Sequence, residues 1–238
     1  MIPAIGQKIP TKGQEPSTLN NSLVFMFRGD GTLSSGRYYP EYGLDFSSYV
    51  EDTGTMYQNT TYKVPPATKS YYFPSNAYFS RSSSYIPSSW LVYTNITFSF
   101  WMYKYSISGQ RGILSWGPVS NRNFYVVSDG STLKIGHDYS GVEQQAEFAP
   151  NLNNSTWYHI VVVRNTTEKR YYLYVNNELD AYLSYSYNPT TSYRDIYLGS
   201  FGNGLYPFYG YMNFIAYWKR ALTTDEIAEL YNTPKYPF

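Results

Sequence analysis

From Leu23 onward the chain sets short apolar runs between clusters of Gly, Pro, Asn and Ser, the punctuation of an all-β domain rather than of alternating strands and helices. Leu23 to Phe27 is the first run. In Asn95 to Tyr103, Ile96, Phe98, Phe100 and Met102 alternate with Thr97, Ser99, Trp101 and Tyr103, a period of two that turns one aliphatic-aromatic face inward. Trp157 to Arg164 contains Ile160-Val161-Val162-Val163, which is β-branched and apolar on both faces, as in a central strand covered on both sides. Trp157 is expected to fill the space between two sheets, and His159 to be a strand residue without a chemical role.

Arg170 to Val175 meets Asn176-Asn177, residues that tolerate the left-handed conformation of a tight turn, and Glu178 to Leu183 then returns as the second arm of a hairpin. Ile196 to Gly199 and Gly210 to Trp218 supply two more runs, the second the most aromatic strand of the chain. One helix signal follows. Thr223 with Glu226 three residues on forms a capping box, Asp225 favours the first turn, and Ile227, Leu230 and Tyr231 form an apolar stripe that Pro234 ends after about two turns.

Composition agrees with strands: 20% of the residues are aromatic, with 30 Tyr and 13 Phe, and only 15% are charged. A formal charge of +1 without any Lys/Arg cluster gives no concentrated positive field, so nucleic acid is not an expected partner. The absence of Cys excludes disulfides and thiolate metal sites. Residues 1–21, with Pro3, Pro10 and Pro16, read as an extended arm that docks on its own sandwich or on neighbouring chains, and residues 22–238 as one sandwich domain. The N-terminus lacks the basic start and apolar stretch of a Sec signal, and no run is long enough to span a membrane, so membrane insertion is not expected.

Four blocks, read in order, resemble the concanavalin A-like lectin/glucanase superfamily, and within it the laminin-G-like and pentraxin-like jelly rolls. They are residues 96–103 with 112–117, then WYHIVVVR (157–164), YLYVNNEL (172–179) and the closing block 209–232. In the last, Gly210, the Arg220-Ala221-Leu222 turn and Glu229-Leu230-Tyr231 hold the family's places; residues 71–79 match weakly. The resemblance implies a two-sheet antiparallel jelly-roll sandwich with one short C-terminal helix and ligand loops at one rim.

Glucanases of that superfamily carry an E-x-D-x-x-E strand, since retaining hydrolysis needs two carboxyls about 5 Å apart. No strand here has it, and Asp225, Glu226 and Glu229 lie on the helix, where capping explains them. His137 and His159 are the only histidines, so zinc and Cys-His chemistry are excluded and no enzymatic role is expected. Many relatives bind Ca²⁺ through carboxylates at positions that correspond here to Pro74, Asn76, Ala77 and Asn213, so the metal-dependent site is reduced to neutral side chains. Asn76 and Asn213 are retained as candidate ligand-binding residues, and Asp30 and Asp45, with Asp52, as oxygens for a weak Ca²⁺ site. Trp90 and Trp116, beside Pro and Gly, are candidate sugar-stacking rings. Arg28-Gly29-Asp30 reads as a turn with Gly at the bend.

These readings converge on a non-enzymatic structural or binding protein. The expected setting is a virion surface, as a capsid-decoration or fibre component whose lectin-like domain contacts host glycans. Its arm joins other structural chains in an oligomer or larger assembly. The alternative is a secreted or cell-surface adhesion lectin; a polysaccharide-active enzyme ranks last.

Overall fold

The computed structural model describes residues 18–29, 33–34, 37–38, 42–43, 57–74, 77–85, 94–105, 108–118, 120–189, 194–202 and 204–233. In chain order the strands are β1 (Leu23–Phe27), β2 (Leu33–Ser34), β3 (Arg37–Tyr38), β4 (Tyr42–Gly43), β5 (Tyr57–Asn59), β6 (Ser70–Phe73), β7 (Phe79–Arg81), β8 (Ile96–Lys104) and β9 (Gln110–Trp116). They continue as β10 (Phe124–Asp129), β11 (Thr132–Tyr139), β12 (Val142–Phe148), β13 (Trp157–Asn165), β14 (Arg170–Val175), β15 (Glu178–Ser184), β16 (Ile196–Leu198) and β17 (Gly210–Trp218), and the helix α1 is Thr224–Asn232. A nine-stranded sheet runs β15-β14-β13-β8-β17-β1-β4, with β6 also on β17 and β5 on β6; a six-stranded sheet runs β12-β11-β10-β9-β16-β7. β2 and β3 form a separate ribbon. Every pairing between strands is antiparallel. The all-β sandwich read from the pattern, in the jelly-roll form that the resemblance implies, is the fold.

The two sheets bury one continuous core, to which β8 contributes Ile96, Phe98, Phe100 and Met102, the inward face read from its alternation. Ile160 and Val162 of β13 enter the same core, while Val161 and Val163 join a second cluster on the outer face of the nine-stranded sheet. Parity then decides Trp157. It shares the outward phase of Val161 and packs against the outer cluster, so it does not stand between the sheets. His159 has the same phase; it is fully buried, bonded to Ser99 Oγ at 2.9 Å and stacked on Trp101.

The outer cluster exists because α1 covers half of that face. Ile227 and Leu230 are buried against Trp101, Val161, Val163, Phe214 and Trp218, and the Tyr231 ring stacks on Trp101 at 5.6 Å. The capping box forms as read: the Thr223 side chain accepts from the Glu226 backbone N–H, and Glu226 accepts from the Thr223 N–H at 2.9 Å. Glu226 also takes a forked pair of bonds from Arg220 at 2.7 and 2.6 Å. The same guanidinium donates to the carbonyls of Thr18 and Asn21, and the Trp218 indole donates to Leu19 O at 2.6 Å. The last residues of the expected arm are thus clasped onto the sheet, with Leu19 buried. Residues 1–17 lie outside the described residues. The hairpin turn also forms, with Asn176 and Asn177 at φ +51° and +72° between β14 and β15.

Candidate functional site

The half of the outer face that α1 leaves uncovered carries a row of aromatic residues in cross-strand register. Tyr57 on β5 pairs with Tyr72 on β6, Tyr72 with Tyr211 on β17, Tyr211 with Tyr103 on β8, and Tyr103 with Trp157 on β13. Their sequence neighbours Tyr71, Phe73, Met102 and Met212 point into the core between the sheets, which fixes the row on the outside. Adjacent ring centroids are 4.6 Å apart for Tyr57–Tyr72, 5.1 Å for Tyr72–Tyr211, 5.8 Å for Tyr211–Tyr103 and 5.6 Å for Tyr103–Trp157. Four inter-strand steps of about 4.8 Å make the row about 19 Å long, perpendicular to the strands.

Three more tyrosines thicken it. Tyr105, just past β8, and Tyr209, just before β17, lie 5.1 Å apart, and Tyr105 donates its hydroxyl hydrogen to the Tyr211 hydroxyl at 2.9 Å. Tyr62 lies flat on Tyr211, at 4.9 Å and 14° between ring planes. A turn places it there: Asn59 Oδ1 accepts the N–H groups of Thr61 and Tyr62, bending the chain back over the sheet. Tyr211 is consequently only 4% exposed, whereas Tyr62 is 38% and Tyr57 47% exposed.

The row is electrically neutral. Burial pushes the Tyr72 hydroxyl up to about 12, with the Tyr209 hydrogen bond and the Tyr57 and Tyr105 hydroxyls adding to it. Tyr105 and Tyr211 are also raised above the ordinary tyrosine value, first by burial, and the hydroxyls that act on them belong to other tyrosines. Chain geometry brings the strands this close: a Cβ on Gly210, between Tyr209 and Tyr211, would sit 2.0 Å from the Tyr103 carbonyl oxygen.

The residues singled out from sequence lie elsewhere. Trp116 is 1% exposed, with its ring edge-on to Tyr217 at 5.5 Å inside the sandwich, so it offers no face to a sugar. Asn213 is fully buried: its Oδ1 accepts from Val64 N at 3.0 Å, and its Nδ2 donates to Arg28 O at 2.6 Å and Lys69 O at 2.8 Å. It clamps the segment that carries Tyr57 and Tyr62 and touches no solvent. Trp90, Asn76, Asp30, Asp45 and Asp52 lie outside the described residues. Among the described residues no group of three or more His, Asp or Glu could hold a metal ion, and no helix is long and apolar enough to cross a membrane. Gly29 is a bend residue at φ +113°, where a Cβ would meet Lys69 O at 2.3 Å.

The outer face of the six-stranded sheet holds a charged cluster. Arg122 grips Asp138 through two side-chain bonds of 3.0 and 2.9 Å and reaches Glu143, which also accepts from Tyr125 OH at 2.7 Å. These groups satisfy one another, so the cluster ties the residue 122 bend to β11 and β12. The tyrosine row escaped the sequence reading because its members come from five strands scattered along the chain. The repeats Tyr103-x-Tyr105 and Tyr209-x-Tyr211 are its only local trace.

Among solved structures the chain is similar to the binding domain of Paraclostridial Mosquitocidal Protein 1, with TM-score 0.67 and 16% identity, covering 90% of this chain and 52% of that one. It is similar to the botulinum neurotoxin serotype D ligand-binding domain in complex with N-acetylneuraminic acid, with TM-score 0.66 and 14% identity over 88% of this chain and 50% of that one. A third likeness is to the Ruminococcus gnavus IT-sialidase carbohydrate-binding module bound to α2,3-sialyllactose, with TM-score 0.51 and 18% identity over 58% and 83%. At these identities the likeness is one of fold, and the chain spans about half the length of the toxin domains. No curated protein sequence matches it. A family model described as concanavalin A-like lectin/glucanases superfamily matches residues 77–228, which is more than half of the chain. The chain belongs to the concanavalin A-like lectin/glucanase superfamily, in its laminin-G branch.

Proposed function

We propose that this protein is a non-enzymatic glycan-binding module whose binding surface is the outer tyrosine row. The observation that carries this reading is the in-register line from Tyr57 to Trp157 beside α1, whose solvent face is made by Tyr57, by Tyr62 lying over Tyr211, and by the half-buried Tyr72, Tyr103 and Trp157. Tyrosine and tryptophan present a rigid apolar face with a polar edge, which suits the C–H face of a pyranose and its hydroxyls. Fold neighbours crystallised with sialyllactose and N-acetylneuraminic acid support a sugar-binding use of the sandwich. The setting we favour is the virion surface, as a capsid-decoration or fibre component that contacts host glycans, with residues 1–17 reaching other structural chains. Its support is the Cys-free, low-charge composition and the clasp that anchors Thr18–Asn20 to the sheet.

A glycan array tests the binding, with the protein compared to a Tyr57→Ala/Tyr62→Ala double variant. Binding that the double substitution weakens at least tenfold, and that a Ca²⁺ chelator leaves unchanged, is the expected result. Silence on every glycan, or binding indifferent to both substitutions, removes the row from the reading. Incorporation into particles by a chain lacking residues 1–17 tests the setting, and normal incorporation would overturn it.

A further inference from the structure

We infer that the ligand of the tyrosine row is an uncharged, linear polysaccharide in an extended conformation, lying across the strands, rather than a terminal acidic sugar held in a pocket. The inference rests on the row being the glycan surface. Shape is its first support. The aromatic side chains follow one line across five strands, Tyr57, Tyr72, Tyr211, Tyr103 and Trp157, a length of about 19 Å from the strand spacing, which matches about four sugar rings end to end. A terminal monosaccharide would use a single concave site with convergent polar groups, and the row is a ribbon.

Charge is the second support. A carboxylated sugar calls for a guanidinium or ammonium partner. The groups that act electrostatically on Tyr72, Tyr105 and Tyr211 are other tyrosine hydroxyls. The buried arginine of the opposite sheet, Arg122, is committed to Asp138 and Glu143. Hydrogen bonding is the third. Tyr105 donates its hydroxyl hydrogen to Tyr211 and Tyr62 lies over the Tyr211 ring, so the middle of the row presents the outer face of Tyr62 rather than free hydroxyls. The more open Tyr57 supplies an exposed edge at one end, and Tyr62 over the middle gives one face to Tyr211 and turns the other outward. Such a surface selects for many weak, repeated contacts, hence for an extended β-linked glucan or xylan type of chain.

Calorimetric titration of the full chain separates the outcomes. The probes are β-1,4-linked gluco- and xylo-oligosaccharides of increasing length, the matching monosaccharides, and α2,3-sialyllactose. Affinity should rise with each added ring and level off near about four rings, with sialyllactose unbound. Tyr57→Ala and Trp157→Ala, at opposite ends of the row, should each weaken the longest oligosaccharide about three- to tenfold and leave the disaccharide little changed. Binding of sialyllactose, or affinity independent of length, overturns this inference and leaves glycan binding standing. No binding to any probe or to any arrayed glycan overturns both.

Discussion

Replacing Asn213 by alanine removes a carboxamide whose three hydrogen bonds all end on backbone groups of other segments: Val64 N–H, Arg28 C=O and Lys69 C=O. None of these groups gains water when the side chain is cut back, because position 213 is fully buried. A buried donor left without an acceptor costs about 1–3 kcal/mol. Carbonyls, with two lone pairs each, cost less. The sum is about 2–4 kcal/mol, a large part of the roughly 5–15 kcal/mol by which a domain is stable. Urea unfolding should therefore show a lower midpoint at unchanged m, since the surface exposed on unfolding stays the same. The loss should also be local first, because Asn213 holds residues 64–69 against β17; limited proteolysis should cut the 57–70 segment well below the global midpoint. A destabilisation under about 1 kcal/mol, with the 57–70 segment as protected as in the wild type, would refute the view of Asn213 as the clamp behind the row.

The two histidines give a pH prediction. Burial, with the Arg164 charge adding to it at His137, holds both at about 3. The unfolded chain titrates them near 6.5, so it binds more protons, and stability falls as pH drops from about 6.5 toward 3, by at most about 2.7 kcal/mol per pH unit. A flat urea midpoint between pH 6.5 and 4.5 would contradict this. For Glu226, burial alone would raise the carboxyl, but bonds from Arg220, Thr18 and Thr223 outweigh it and hold it at about 2. Its stabilisation is complete above the ordinary carboxylate range and is lost as pH falls toward 2. Glu226→Gln should thus be roughly 1–2 kcal/mol less stable than wild type at pH 7, with the gap narrowing by pH 3.5; an equal gap at both would sink the assignment. Asn177→Gly, at φ +72° in the β14–β15 turn, should add about 0.5 kcal/mol, read as a raised melting temperature, because glycine occupies that region without strain. Asn176 is a poor target, since its Oδ1 accepts from His159 N.

What local pattern encodes was legible: the alternation of Ile96 to Met102, the Asn176-Asn177 turn and the Thr223–Glu226 capping box are each written within a few residues. Trp157 was misplaced for a definite reason. Ile160 to Val163 is apolar at every position, so the run shows that both faces are covered without showing which one meets the second sheet. The site needed more than pattern. Tyr57, Tyr72, Tyr103 and Tyr211 become neighbours only through the order β5-β6-β17-β8, and taken strand by strand each is an ordinary strand tyrosine. Asn213 was noticed through the family's metal-site position, yet what it does depends on carbonyls 185 and 144 residues away in the chain.

The position of β17 has a consequence for how the chain is made. This strand, the last, lies in the interior of the nine-stranded sheet, with β8 along one side and β6 and β1 sharing the other. During synthesis β1, β6 and β8 therefore emerge with their inner edges unsatisfied and stay so until residue 218 has left the ribosome. Closure of this sheet must wait until β17 is available, and a slow closure follows from contacts so distant in sequence. A ribosome stalled before Gly210 would hold three open strand edges rich in Phe and Tyr, which makes the nascent chain a client for chaperones that cover β edges. The tyrosine row appears only once β17 has joined its neighbours.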